Sequence, residues 1–177
     1  MILLDAVGSE IMPRFRRGKG MKLDSIDITI LCELQKNGRM TNTELAKLVN
    51  LSPSPCLMRV KKLHAEGYIF GYSAQINLAK LGRTVTVFTE ITLRNHRQVD
   101  FDRFLAAIDK LECAIECHLV SGGYDYLVKF VTNGLVEYQT IMERLIDRDI
   151  GIDRYLSVVV LKSPIVKPHR PLEAICH

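Results

Sequence analysis

No apolar run in the 177-residue sequence approaches the roughly 20 residues that a bilayer-spanning helix needs, so no membrane-spanning helix is expected. The opening MILLDAVGSE carries an acid at position 5 and no apolar core of signal-peptide length, so no secretory leader is expected. The five cysteines, Cys32, Cys56, Cys113, Cys117 and Cys176, are an odd number without paired C-x-x-C spacing, and no disulfide framework is implied. Cys113, Cys117 and His118 lack the spacing of a four-ligand zinc site. A strand through AIECHLV would moreover point Cys117 and His118 to opposite faces, so they read as buried or half-buried thiols. Catalytic spacing is missing as well. His64, His96, His118, His169 and His177 stand singly, and Asp147, Asp149 and Asp153 line a solvated loop. No enzyme activity, cofactor or metal is expected, and the expected location is the cytoplasm.

With 47% hydrophobic residues, the chain can build two modest cores and is not disordered over most of its length. Its net charge of +4 is uneven: residues 1–80 hold 12 Lys or Arg against 7 Asp or Glu, and residues 81–177 hold 12 against 13. The basic excess of the N-terminal half is the footprint of a surface that meets phosphates.

That half contains TNTELAKLVNLSPSPCLMRVKKLHAEG, from Thr41 to Gly67. Thr41 and Glu44 form a T-x-x-E capping box, so a helix starts there, with Leu45 and Leu48 on its apolar face and Ala46 small enough for close helix approach. Val49-Asn50-Leu51 is a turn. Ser52 is a natural N-cap, and Pro53 sits at the first helical position, where its missing N–H costs nothing. In this second helix Cys56, Val60 and Leu63 recur at i, i+4, i+7 and face the core. The other face is left to Ser54, Met58, Lys61 and Lys62, flanked by Pro55 and Arg59, and from Pro53 to Ala65 there is no acid. So short a connector sets a steep helix-turn-helix angle and brings the second helix to the DNA major groove. Ser54 and Arg59 are expected on base edges, Lys61 and Lys62 on phosphates, with Ser52, Pro55 and Met58 beside them.

A preceding helix is predicted in KLDSIDITILCELQKNGRM, capped by Asp24 or Ser25, with Ile26, Ile30, Leu31 and Leu34 as its buried stripe and Gly38 after its end. YIFGYSAQIN is short, aromatic and β-branched, with Gly71 and Ser73 at a turn, and reads as a hairpin wing. The second half alternates simply. TVTVFTEITL is a strand, and VDFDRFLAAIDKL is a helix with Val99, Phe101, Phe104, Leu105, Ile108 and Leu111 at helical spacing. AIECHLV and DYLVKFV are strands joined by SGGY, LVEYQTIMERLID is a helix, and RYLSVVVL is a last strand. The order βαββαβ is the ferredoxin-like arrangement, an antiparallel sheet with both helices on one face. Its other face is rich in Val, Ile, Phe and Leu, and pairing with a second copy would bury it, so a homodimer on two DNA half-sites is expected.

The expected fold class is therefore α+β, divided into a flexible basic extension at 1–21, a winged helix-turn-helix domain at 22–77, a linker at 78–83, a ferredoxin-like domain at 84–162 and a tail at 163–177. The extension, with Arg14, Arg16, Arg17 and Lys19, reads either as an arm on DNA backbone or as a tag or upstream start before Met21.

L-S-P-x-P-C-x-x-R-V-x-x-L followed by G-x-x-D-Y, read here as LSPSPCLMRVKKL and GGYDY, resembles the Lrp/AsnC family of bacterial and archaeal transcription regulators from Lys22 to about Lys162. The resemblance implies a cytoplasmic, nucleoid-associated DNA-binding dimer, often a ring of four dimers, that senses an amino acid or related metabolite between neighbouring second domains. Carried over by position, the effector site is the turn Gly122, Gly123, Tyr124, Asp125 and Tyr126, with Leu135, Ser157 and Val159 completing the wall. Glycines would let backbone N–H groups close on an α-carboxylate, and Asp125 could accept from an α-ammonium. From the residues alone, Gly122 and Gly123 are equally what a tight hairpin needs, and Asp125 an equally good turn cap. Met58 departs from the family's frequent basic residue there. The tail with Pro164, Pro168 and Pro171 departs from the usual short ending and reads as disordered or as packed on a neighbouring subunit. The alternative function is an architectural DNA-organising protein with no effector.

Overall fold

The computed structural model describes residues 22–167 and 171–175. The extension at 1–21, His169, Cys176 and His177 lie outside the described residues. The described residues divide into two compact units, one comprising 22–74 with the end of the chain from 167, the other Gln75–Val166.

In the first unit, α1 (Ser25–Lys36) begins at Asp24, whose carboxylate accepts the Asp27 N–H while the Asp27 carboxylate takes the Asp24 N–H. Asp24 rather than Ser25 is thus the cap. Ile30 and Leu34 are buried, with Ile26 and Leu31 packed beside them. The predicted capping box opens α2 (Asn42–Leu48): Glu44 N–H donates to Thr41 Oγ1 at 3.2 Å and Thr41 N–H to Glu44 Oε2 at 2.8 Å.

Leu48, expected inward, is 52% exposed, and Val49 is buried instead. Val49 lies one full turn beyond Leu45, four residues on, whereas Leu48 falls three residues on and to the side. Asn50 then takes the left-handed conformation (φ +53°), a region asparagine tolerates better than most residues, and the Leu51 N–H returns to the Ala46 carbonyl at 2.9 Å. The tight turn before α3 (Pro53–Ala65) follows from this conformation and this hydrogen bond. Ser52 stands at the N-cap, although its hydroxyl makes no capping bond, and Cys56 and Leu63 are fully buried. Asn42 Nδ2 donates to the Pro53 carbonyl at 2.7 Å, tying the starts of α2 and α3.

The predicted wing hairpin does not form: the described residues between α3 and Val85 carry no strand. With its turn at Gly71 to Ser73, the segment leaves Tyr68 to Phe70 before and Ala74 to Asn77 after, too little for a self-standing two-stranded ribbon. The segment folds back instead. Tyr72 packs so closely on Gly38 that a Cβ there would lie 2.8 Å from its ring, and its hydroxyl is 3.3 Å from His64 Nε2. The tail returns to this unit, where α6 (Leu172–Ile175) lies against α1.

The second unit has the predicted order: β1 (Val85–Leu93), α4 (Gln98–Ile108), β2 (Ala114–Leu119), β3 (Tyr126–Thr132), α5 (Leu135–Asp147), β4 (Ile152–Val159). All pairings are antiparallel, in the order β2-β3-β1-β4. Alternate residues Val87, Ile91, Val128 and Phe130 meet Phe104 and Ile108 of α4 and Tyr138, Met142 and Leu145 of α5 in one core, which places both helices on the same face. Val99 and Leu105, expected on the α4 stripe, are largely exposed. Leu105 is rotated about 100° from Phe104, outside the narrow strip that the sheet covers.

Candidate nucleic-acid interface and effector turn

On the outer face of α3, Ser52, Ser54, Pro55, Lys61 and Lys62 are exposed, and Met58 is 63% exposed. Arg59 is held differently. Its Nη1 lies 2.7 Å from both Asp24 Oδ2 and Asp27 Oδ1, so the guanidinium clasps the cap of α1. Beside the base-reading role expected of it, Arg59 thus has a structural one: a donor committed to two carboxylates, one of them nearly buried, ties α3 to α1. Hydrogen bonds to Asp27 and then Asp24 raise the Arg59 pKa further. Around the clasp lies a groove of about 890 Å³, with Lys22, Lys61 and Lys62 on its lining. Lys22 was not among the residues singled out from sequence. Its lysine neighbours lie about 40 residues further along the chain, so no local motif connects them.

Asp24 gives the clasp a pH signature. The Asp27 N–H first, and the Arg59 guanidinium after it, hold its carboxyl below the usual carboxylate range. The group therefore contributes stability above its unfolded pKa, about 3.9, and that contribution is lost as pH falls through the lowered folded value. Acid unfolding of the protein should show this loss below about pH 4, and Asp24→Asn should lower neutral stability while flattening that part of the curve. An acid limb of unchanged steepness in Asp24→Asn would contradict the assignment.

The second site surrounds the turn between β2 and β3, closed by Val120 N–H to the Asp125 carbonyl at 2.9 Å. Asp125 Oδ2 accepts the Leu93 N–H at 2.7 Å, and His96 Nε2 lies 3.0 Å from Oδ1 and 3.1 Å from Oδ2. The carboxylate thus pins the turn to the end of β1. Arg154 of β4 buttresses the turn from the other side, donating through Nη2 to the Gly123 carbonyl at 3.1 Å and through Nε to Thr92 Oγ1 at 3.3 Å. Beside it opens a hollow of about 240 Å³ lined by Glu90, Thr92, Gly123, Tyr124, Arg154 and Leu156 among others. Neither His96 nor Arg154 was legible as part of this site, because each is brought there by strand register and loop path.

Tyr126 departs from expectation. It is 2% exposed, its ring centroid lies 4.6 Å from that of Phe104, and burial pushes its phenol up to about 12, so its side chain belongs to the core and not to the wall of the turn. The reason is parity: two residues before Val128 on β3, Tyr126 must share its inward face. Cys117 also faces this core, pairing in register with Val128, and burial raises its thiol to about 11; His118 lies on the opposite face beside Glu116.

Leu135, Ser157 and Val159 stand away from the turn. Ser157 pairs with Thr89 and Val159 with Val87, while the turn adjoins Ile91 and Leu93; Leu135 follows the strand end where Thr132 pairs with Val85. Four residues of strand, Ile91 to Val87, span about 13 Å. One chain does not bring Leu135 and Val159 to the turn, and Ser157 lies between, two residues of strand from Ile91. Ser157 Oγ hydrogen-bonds the Tyr138 hydroxyl, which lies 2.8 Å from that of fully buried Thr89. Tyr138→Phe should cost about 1–2 kcal/mol by leaving these hydroxyls underpartnered. An unchanged urea midpoint would refute that chain of hydrogen bonds.

A helix-turn-helix unit with a basic outer face, followed by an α/β unit with a buttressed turn, defines a DNA-binding regulator that carries a ligand-binding domain. A family model described as winged helix-turn-helix DNA-binding matches residues 23–69, and one described as the Lrp/AsnC ligand binding domain matches residues 86–170. The leucine-responsive regulatory protein of Salmonella typhimurium is 43% identical over 148 residues, 84% of this chain and 90% of that protein. Among solved structures, a transcriptional regulator of Neisseria meningitidis in complex with L-Met is 30% identical with a TM-score of 0.79, covering 86% of this chain and 99% of that one. An AsnC family transcriptional regulator of Agrobacterium tumefaciens is 28% identical, also with a TM-score of 0.79 and the same shares covered. The chain belongs to the Lrp/AsnC family of transcription regulators, not to a class of enzymes.

Proposed function

We propose that the protein binds double-stranded DNA sequence-specifically through the outer face of α3 and responds to an amino acid bound between neighbouring copies. The observation that carries this reading is the split of the residues expected to hold the effector: the Gly122–Asp125 turn lies at one end of the sheet and Leu135 and Val159 toward the other, with Ser157 between. A site containing both groups requires a second chain. The amino-acid class is supported by the L-Met bound to the Neisseria regulator and by the leucine-responsive relative. Backbone N–H groups of the glycine turn suit an α-carboxylate, and Asp125 suits an α-ammonium.

The homodimer buries the sheet face opposite the helices. There Phe88, Leu127, Val131, Leu156 and Val158 are interleaved with Glu90, Glu116 and Lys129, the last two joined at 2.8 Å. The interleaved charges fix the register of the pairing, and dimers assemble further into an octamer. A two-fold assembly reads two half-sites, acting on the nucleoid in the cytoplasm of a bacterial or archaeal cell.

The test is a melting series with each standard amino acid, on the wild type and on Asp125→Asn, which keeps an acceptor for the Leu93 N–H but loses the charge. A ligand that binds the folded state stabilises it by roughly 2.7 kcal/mol at a hundred times its dissociation constant. A shift by one or a few amino acids that disappears in Asp125→Asn supports the reading. No shift with any amino acid would leave an architectural protein without an amino-acid effector as the better description.

A further inference from the structure

The Asp125 carboxylate proposed to receive the effector's ammonium group already has two partners, and they are not equivalent. Leu93 donates a backbone N–H at the end of β1, which cannot leave without unpairing the strand. His96 donates from the exposed loop between β1 and α4, with its own side chain 58% exposed and free to change rotamer. Oδ2 is shared between both partners, whereas Oδ1 is held by the imidazole, at 3.0 Å. With 19% of the Asp125 side chain exposed, an ammonium group arriving from solvent meets the carboxylate where the ring sits.

The other charges nearby are engaged elsewhere. Arg94 pairs with Asp149 and Arg97 with Asp100, while Gln98 donates to Asp102 at 2.8 Å. Phe101 of α4 presents its ring 6.0 Å from that of His96. His96 is therefore the replaceable donor on this carboxylate.

We infer that His96 is a built-in competitor for the effector's ammonium: a ligand with a cationic amino group binds by displacing the imidazole from Asp125, and His96 thereby sets how tightly such ligands are held. The inference rests on the amino-acid site proposed above. While the imidazole occupies Oδ1 the ligand must give up part of its binding energy to displace it, so removing that donor should raise the affinity for a cationic amino group.

The experiment is calorimetric titration of the full chain with L-leucine and L-methionine, comparing the wild type with His96→Phe and His96→Gln. His96→Phe keeps a ring beside Phe101 and removes the donor; His96→Gln keeps a donor. His96→Phe should bind about three- to tenfold more tightly than the wild type, and His96→Gln should gain less than His96→Phe. Wild type and His96→Phe binding alike would overturn the inference and leave the amino-acid site standing. A folded wild type that binds neither these two nor any other standard amino acid would overturn both.

Discussion

Replacing Lys61 and Lys62 together by alanine should remove much of the affinity for duplex DNA while leaving the protein folded. Both side chains are exposed on the outer face of α3, and neither makes an ion pair among the described residues, so the stability cost should stay within about 0.5 kcal/mol. Their weight comes from what surrounds them. The helix holds no acid between Pro53 and Ala65, and its third cation, Arg59, is committed to Asp24 and Asp27. Each lysine that neutralises a phosphate contributes about 0.9 to the slope of log affinity against log salt, so the double variant should lose about 1.8 of that slope. Between 50 and 200 mM salt the variant should therefore weaken about tenfold less than the wild type. Fluorescence anisotropy on a labelled duplex across this range measures it directly. An unchanged slope would move the interface off α3.

Arg59→Ala should act in the opposite way, on stability first and on DNA through it. The substitution strands the Asp27 carboxylate, only 8% exposed, without its cation and weakens the cap of α1. A fully buried pair broken on one side would cost more, but Arg59 is 32% exposed and water can replace part of its contribution. A loss of about 1–3 kcal/mol is expected, read from denaturant unfolding. Asp27→Asn should lose part of the same energy, and adding Arg59→Ala to it should cost less than Arg59→Ala alone, since the two changes break one contact. Undiminished stability in Arg59→Ala, with DNA binding lost, would leave base reading as the residue's role and contradict the structural one.

What sequence could show and what it could not divide along a physical line. The Thr41–Glu44 capping box, the Asn50 turn, Pro53 at the first helical position and the βαββαβ order rest on interactions within four residues or on hydrophobic period, and each formed as expected. The family resemblance drew on the same local motifs. The clasp of Arg59 on Asp24 and Asp27 joins positions 35 and 32 residues apart, and a close packing of helices, not a spacing, makes it. Leu48 and Val49 differ by one residue at a helix end, where the turn rather than the period decides which is buried. Ser157 and Val159 could be placed on the last strand from sequence, but their distance from the turn depends on the β1–β4 register, which no local pattern encodes. His96 looked like an isolated histidine for the same reason, since its partner Asp125 lies 29 residues on.

The central claim is that an amino acid and DNA each change the protein's affinity for the other. It is tested most directly by measuring the dissociation constant for a duplex selected from a random pool, with and without saturating L-leucine or L-methionine, and then the amino-acid affinity with and without that duplex. Linkage requires the two ratios to be equal, and a factor of about 5 to 150 is the usual range of such coupling. A shared factor clearly different from one is the predicted result. Tight duplex binding that is the same with and without every amino acid would contradict it.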